Sequence, residues 1–220
     1  MSQQGNLQDK LVAYIQDMYA LENAGVETLE RHAKQAEDVP MIQERILRHL
    51  QETKNHRTRL EERLHAHGAT PSATKGALGA VTGAAAGLAS GARPDRIAMN
   101  ARDEYVDEHA EIASYAMLLV TAQAHGDGET VDVVRQNLRD EVAMQEWLAR
   151  HVAAIGLLAL QKDDGVVIPN SAWEFARTTA SVAAILGSPS AGAPDDTDIK
   201  AAADATTPDQ SGQIVGNVDW

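Results

Sequence analysis

A chain of 220 residues can enclose one substantial core, or one domain with an appendage. Its formal net charge of −13 argues against a nucleic-acid backbone as partner, because phosphate binding needs a basic surface. The absence of cysteine excludes disulfides, thiolate metal sites and thiol redox chemistry.

In chain order, four long amphipathic helices are predicted, over 6–37, 40–68, 94–125 and 129–160. The start, MSQQGNLQDK, has no apolar stretch of the kind a secretory signal carries, so cytoplasm is the expected compartment. Pro40 and Pro94 fit the first turns of the second and third helices. The basic residues of the second helix alternate with Glu44, Glu52, Glu61 and Glu62, which reads as a solvated mixed-charge face. The breaks EDVP and HGDGE are short, whereas 69–93 is long. Short, long, short is the connectivity of a ferritin-like four-helix bundle with one crossover, an all-α fold.

The crossover contains GALGAVTGAAAGLASG, with glycines at 79, 83, 87 and 91 on one helical ridge. Only seventeen uncharged residues separate Lys75 from Arg93, fewer than the roughly 20 apolar residues that span a bilayer. No membrane insertion is expected, and the crossover should pack on the bundle or on a second subunit. The expected domain is thus 1–168, followed by a short helix over 169–187 that opens at Ser171 with Glu174 at capping-box spacing. From 188 to 220 the chain is rich in Ser, Pro, Gly, Ala and Asp. Such a composition predicts disorder, ending in GQIVGNVDW, either a frayed terminus or a docking peptide for a protein partner.

Carboxylates interrupt the apolar stripes. Glu22 falls between Met18 and Val26 on the first helix, and Glu141 between Leu138 and Leu148 on the fourth. The third helix carries Glu104 and Glu108 on its stripe, with Glu111 one turn on and rotated by about 60°. On the second helix His49, Thr53 and His56 face inward, while Glu52 lies at the flank. Withdrawing one ion from water costs several kcal/mol, and clustered like charges cost more. Bound divalent or trivalent cations would compensate. Oxygen and imidazole donors suit Fe, Mn or Zn. Tyr19, Tyr105 and Tyr115 lie three or four residues from these glutamates, placed to hydrogen-bond them or to fill the core.

YALE (Tyr19 to Glu22), HLQET (His49 to Thr53), EHAEIASY (Glu108 to Tyr115) and DEVAMQEWL (Asp140 to Leu148) resemble the motifs of the YciE/YciF-type ferritin-like family of stress-associated bacterial proteins. The resemblance covers about residues 6–160. It implies a four-helix bundle, a homodimer and a di-metal centre, iron above all, with Glu22, Glu52, Glu108, Glu111 and Glu141 as ligands. Related di-iron proteins carry Glu-x-x-His, but here Asn55 follows Glu52 and Met144 follows Glu141. His56, one residue further on, is the expected substitute ligand. Gln145 holds the equivalent place on the fourth helix, His49 is a ligand or supports one, and His109 points away from Glu108. A partial, single-metal site is the alternative.

Two functions from different classes follow. The first is a ferritin-like metal-binding protein in which iron reacts with oxygen or peroxide, a ferroxidase-like or peroxide-consuming activity. The second is a metal-free structural or interaction protein, its acids satisfied by Arg and Lys of the second helix. No phosphate loop and no nucleophile-elbow serine is present.

Overall fold

The computed structural model describes residues 3–72 and 95–178, which contain five α-helices and no strand. They are α1 (Gln3–Gln35), α2 (Pro40–Ala66), α3 (Arg96–His125), α4 (Gly128–Asp163) and α5 (Asn170–Thr178). The first four begin and end within three residues of the predicted segments. Pro94, most of the crossover with its glycine ridge, the second half of the expected C-terminal helix and the acidic tail lie outside the described residues.

The helix ends follow local chemistry. Pro40 opens α2, where its missing N–H costs nothing. Gly126 closes α3 at φ 83°, a left-handed conformation that a Cβ would strain. Asp127 caps α4 by accepting from the Thr130 backbone N–H at 3.0 Å. Beyond α4, Ser171 lies inside α5 and does not cap it. The Pro169 carbonyl accepts from Ala172 N–H at 3.0 Å, which starts the helix a residue early.

Side-chain pairs fix the helix directions. Gln43 donates to the Ala33 carbonyl at 3.1 Å and Gln8 meets His67 at 2.9 Å, so α1 and α2 run antiparallel. Asn100 at the start of α3 donates to Gln35 at the end of α1 (2.7 Å), making this pair antiparallel too. Arg63 donates to Thr130 at 2.9 Å, and α4 accordingly opposes α2. The helices run up, down, down, up. The end of α2 and the start of α3 therefore lie at opposite ends of the bundle, about 40 Å apart for a helix of 27 residues. This is the ferritin-like four-helix arrangement with one long crossover.

The bundle interior divides into two apolar layers. One holds Val26, Leu29, Ile46, Ile97, Leu148 and Ile155. The other holds Leu11, Ile15, Leu60, Leu64, Leu118 and Val134. Between them, at the mid-height of every helix, lies a belt of buried polar side chains. None of the described helices is long and apolar enough to cross a membrane.

Candidate metal centre

Each helix of the bundle delivers part of the belt. Glu22 of α1, His49 and His56 of α2, Glu108 and Glu111 of α3, and Glu141 of α4 are all buried. Two groups of potential ligand atoms form among them, each within 4.8 Å. The first is Glu22, His56 and Glu141. The second is His49, Glu108 and Glu141. Glu141 belongs to both, and its two oxygens face different histidines. Oε1 lies 2.7 Å from His56 Nδ1, and Oε2 lies 3.6 Å from His49 Nε2.

The far ring nitrogens are anchored. His49 Nδ1 donates to Glu52 Oε2 at 3.1 Å, and Arg45 donates to the same oxygen at 3.2 Å. His49 Nε2 is thereby aimed at Glu108 Oε1, 2.9 Å away. His56 Nε2 pairs with Asp140 at 3.0 Å, which turns Nδ1 toward Glu141 and Glu22. A carboxylate behind a ligating imidazole fixes its tautomer and orientation. Tyr115 donates to Glu22 Oε1, and its oxygen accepts from Asn137 at 2.9 Å.

The charges are strongly coupled. Burial opposes ionisation of His49, but Glu108, Glu52 and Glu141 hold its imidazole protonated well above the ordinary range. Burial likewise opposes His56, while Glu141 and Glu22 raise it to about 10. Burial pushes Glu141 up, yet His56 and His49 outweigh it and bring the group to about 2. Glu22, Glu108 and Glu111 go the other way. Burial, reinforced by the Glu141 carboxylate, raises all three, against the pull of His56 on Glu22 and of His49 on Glu108.

Glu22, His56, Glu108 and Glu141 are thus brought together. Glu111 belongs to neither triad but borders both, within reach of Glu141, Glu22 and Glu108. Its Oε1 extends toward α1, 3.8 Å from where a Cβ on Gly25 would lie. Glu52, expected as the α2 ligand, is not brought into either triad. It stands behind His49, about a quarter exposed, because the face that turns inward on α2 is the one bearing His49, Thr53 and His56. His49 takes that place in the second triad. Met144 is fully buried within an apolar layer, and Gln145 donates to the Tyr105 hydroxyl at 3.4 Å. Helix α4 therefore offers a carboxylate without a histidine. His109 is exposed and bonds its own helix at the Tyr105 carbonyl. Tyr19 packs against an apolar layer. Glu104 pairs with His32, one turn from Glu108.

The donor types suit a bound metal. Glu22 Oε2 and Glu108 Oε2 are buried without a hydrogen-bond partner, and His56 Nδ1 and both oxygens of Glu141 make no aligned hydrogen bond, only the His56–Glu141 and His49–Glu141 ion pairs. Such atoms are costly unless something satisfies them. Among the described ion pairs none joins Glu22, Glu108, Glu111 or Glu141 to Arg or Lys; their cationic neighbours are imidazoles. The inner set of Glu22, Glu108, Glu111, Glu141, His49 and His56 has the four-carboxylate, two-imidazole composition of di-iron bundles. Here both imidazoles come from one helix at i and i+7, not from two Glu-x-x-His pairs. Asp140, Asn137 and His32 were not singled out from the sequence. Each is polar beside or on an inward stripe, and that position was their only signal.

Three solved structures share the fold. A protein from Xanthomonas campestris pv. campestris is 26% identical, with a TM-score of 0.62 over 72% of this chain and 99% of that one. YcfI from Rhodopseudomonas palustris is 23% identical, with a TM-score of 0.56 over 64% and 92%. The stress protein YciF of E. coli is 20% identical, with a TM-score of 0.58 over 71% and 98%. The family described as a domain of unknown function (DUF892) matches residues 6–160, so the chain belongs to this family of YciE/YciF-type proteins.

Proposed function

We propose that the chain binds two metal ions within the bundle, one of which Glu22, His56 and Glu141 would hold and the other His49, Glu108 and Glu141, with iron as the native metal and Mn or Zn compatible with the same donors. The observation that carries this reading is the convergence of buried carboxylates and imidazoles from α1, α2, α3 and α4 on two groups that share Glu141, with Glu22 Oε2 and Glu108 Oε2 left without a hydrogen-bond partner. Bound iron supplies redox chemistry toward dioxygen or peroxide, in keeping with a role in stress such as YciF is named for.

The chain's own residues do the rest. Glu22 and His56 would hold one ion, His49 and Glu108 the other, and Glu141 both. Glu111 is close enough to join either. Asp140 and Glu52 orient the two imidazoles, and the apolar layers on either side keep bulk water out. The test is the iron content after anaerobic loading and desalting, in wild type and in the double variant Glu108→Ala/Glu141→Ala. About two irons per chain are expected in wild type, and none above background in the variant. Equal iron in both refutes the site.

A further inference from the structure

Behind Glu22 runs a hydrogen-bond chain with a single direction. Arg59 Nη1 donates to Asn137 Oδ1 at 2.9 Å. Asn137 Nδ2 donates to the Tyr115 hydroxyl oxygen at 2.9 Å. Tyr115 donates to Glu22 Oε1. The four residues come from α2, α4, α3 and α1, and the last three are fully buried.

The direction follows from chemistry alone. A guanidinium can only donate, so the Asn137 amide must present its oxygen to Arg59 and its NH₂ to Tyr115. The phenol oxygen then accepts from Asn137, and its one hydrogen is left for Glu22. Glu22 Oε1 is thereby committed as an acceptor, and Oε2 is the oxygen left buried and open. Among the described residues no such chain reaches the second triad. There the support is Glu52 and Arg45 behind His49, acting on an imidazole and not on a carboxylate.

We propose that Arg59, Asn137 and Tyr115 are positioning residues for Glu22, and that through them a partly exposed arginine touching no metal ligand governs affinity at one of the two metal positions and not the other. This rests on the two-metal reading above. The chain holds the Glu22 carboxylate in the orientation that sets Oε1 3.4 Å from His56 Nδ1 and leaves Oε2 buried and open. Loss of any link frees that carboxylate to turn, whereas the His49–Glu108 position keeps all its own supports.

Asn137→Asp is the most diagnostic change, because it preserves shape. The new carboxylate still accepts from Arg59, but it also accepts from Tyr115 and turns the phenol hydrogen away from Glu22. Arg59→Met tests the far end, where a half-buried surface position tolerates substitution. Manganese(II) binding is followed by calorimetry, with thermal denaturation of the metal-free proteins as the folding control and His49→Ala as the variant of the other position. The wild type is expected to take up two ions. Asn137→Asp and Arg59→Met should each weaken one ion by roughly 10–100-fold, the range for residues that orient metal ligands, and leave the other within about twofold. Combining either with His49→Ala should weaken both ions. Unchanged binding of both ions in Asn137→Asp, or equal weakening of both, overturns the proposal while leaving the two-metal reading standing. A wild type that takes up no ion overturns both.

Discussion

Replacing Glu141 by Gln removes the one charge shared by both triads and keeps the side chain's shape. Glu108→Gln removes a ligand from one triad only. Neutral amides are poor ligands for these metals, so the two variants should differ by a whole ion. The magnitude follows from linkage. A ligand present at 100 times its dissociation constant stabilises the folded state by about 2.7 kcal/mol. In a chain of this size each kcal/mol moves Tm by roughly 2–4 °C. One ion is therefore worth about 5–11 °C and two about 11–22 °C on the same reasoning. Differential scanning calorimetry with and without Mn(II) should show the full rise in wild type, about half in Glu108→Gln and none in Glu141→Gln. The readout is the metal-induced rise, not the absolute Tm, because Glu141 also counters the charge of two buried histidines. A wild-type rise in Glu141→Gln would refute the shared-bridge geometry.

Other consequences are equally direct. Asp140→Asn takes the charge from behind His56 and should lower metal affinity roughly 10–100-fold, measured by calorimetry. Asp127 feels burial, but its bonds from Thr130, His67 and Arg63 hold its carboxyl far below the usual value of 3.8. A depressed carboxyl stabilises the fold above its unfolded pKa, and that contribution is lost as the pH falls through the acid range. Asp127→Asn keeps the helix cap. It should lower Tm at pH 7 and flatten the decline below pH ~4; an unchanged acid profile would count against the Arg63–Asp127 pairing. Leu60, fully buried in the layer on the Tyr115 side, should cost about 2–5 kcal/mol when cut to Ala, read by urea denaturation. Its metal-induced rise should survive, because no ligand is touched.

The helices were legible because each repeats apolar residues at helical spacing, and because the short, long, short loops leave few ways to connect four of them. The carboxylates on the stripes were legible for the same reason: Glu22 and Glu141 occupy positions where the pattern requires Leu or Val. Periodicity also placed His49 and His56 inward and Glu52 on the flank. The resemblance to the YciE/YciF-type family nevertheless implies Glu52 as the ligand, and the structure seats it behind His49. What periodicity cannot supply is the register and rotation of one helix against another. Asp140 becomes the partner of His56, Asn137 the link between Arg59 and Tyr115, and His32 the partner of Glu104 only once α1, α2, α3 and α4 are set side by side. A rotation of one residue, about 100°, would have chosen other pairs.

The central claim is that two ions sit in the polar belt and share Glu141. Anomalous diffraction from crystals of the iron-loaded protein, collected on both sides of the iron edge, addresses it directly. The account predicts two peaks inside the bundle, one among Glu22, His56 and Glu141 and the other among His49, Glu108 and Glu141. Iron confined to surface carboxylates, or no peak between the helices of fully loaded protein, would contradict it.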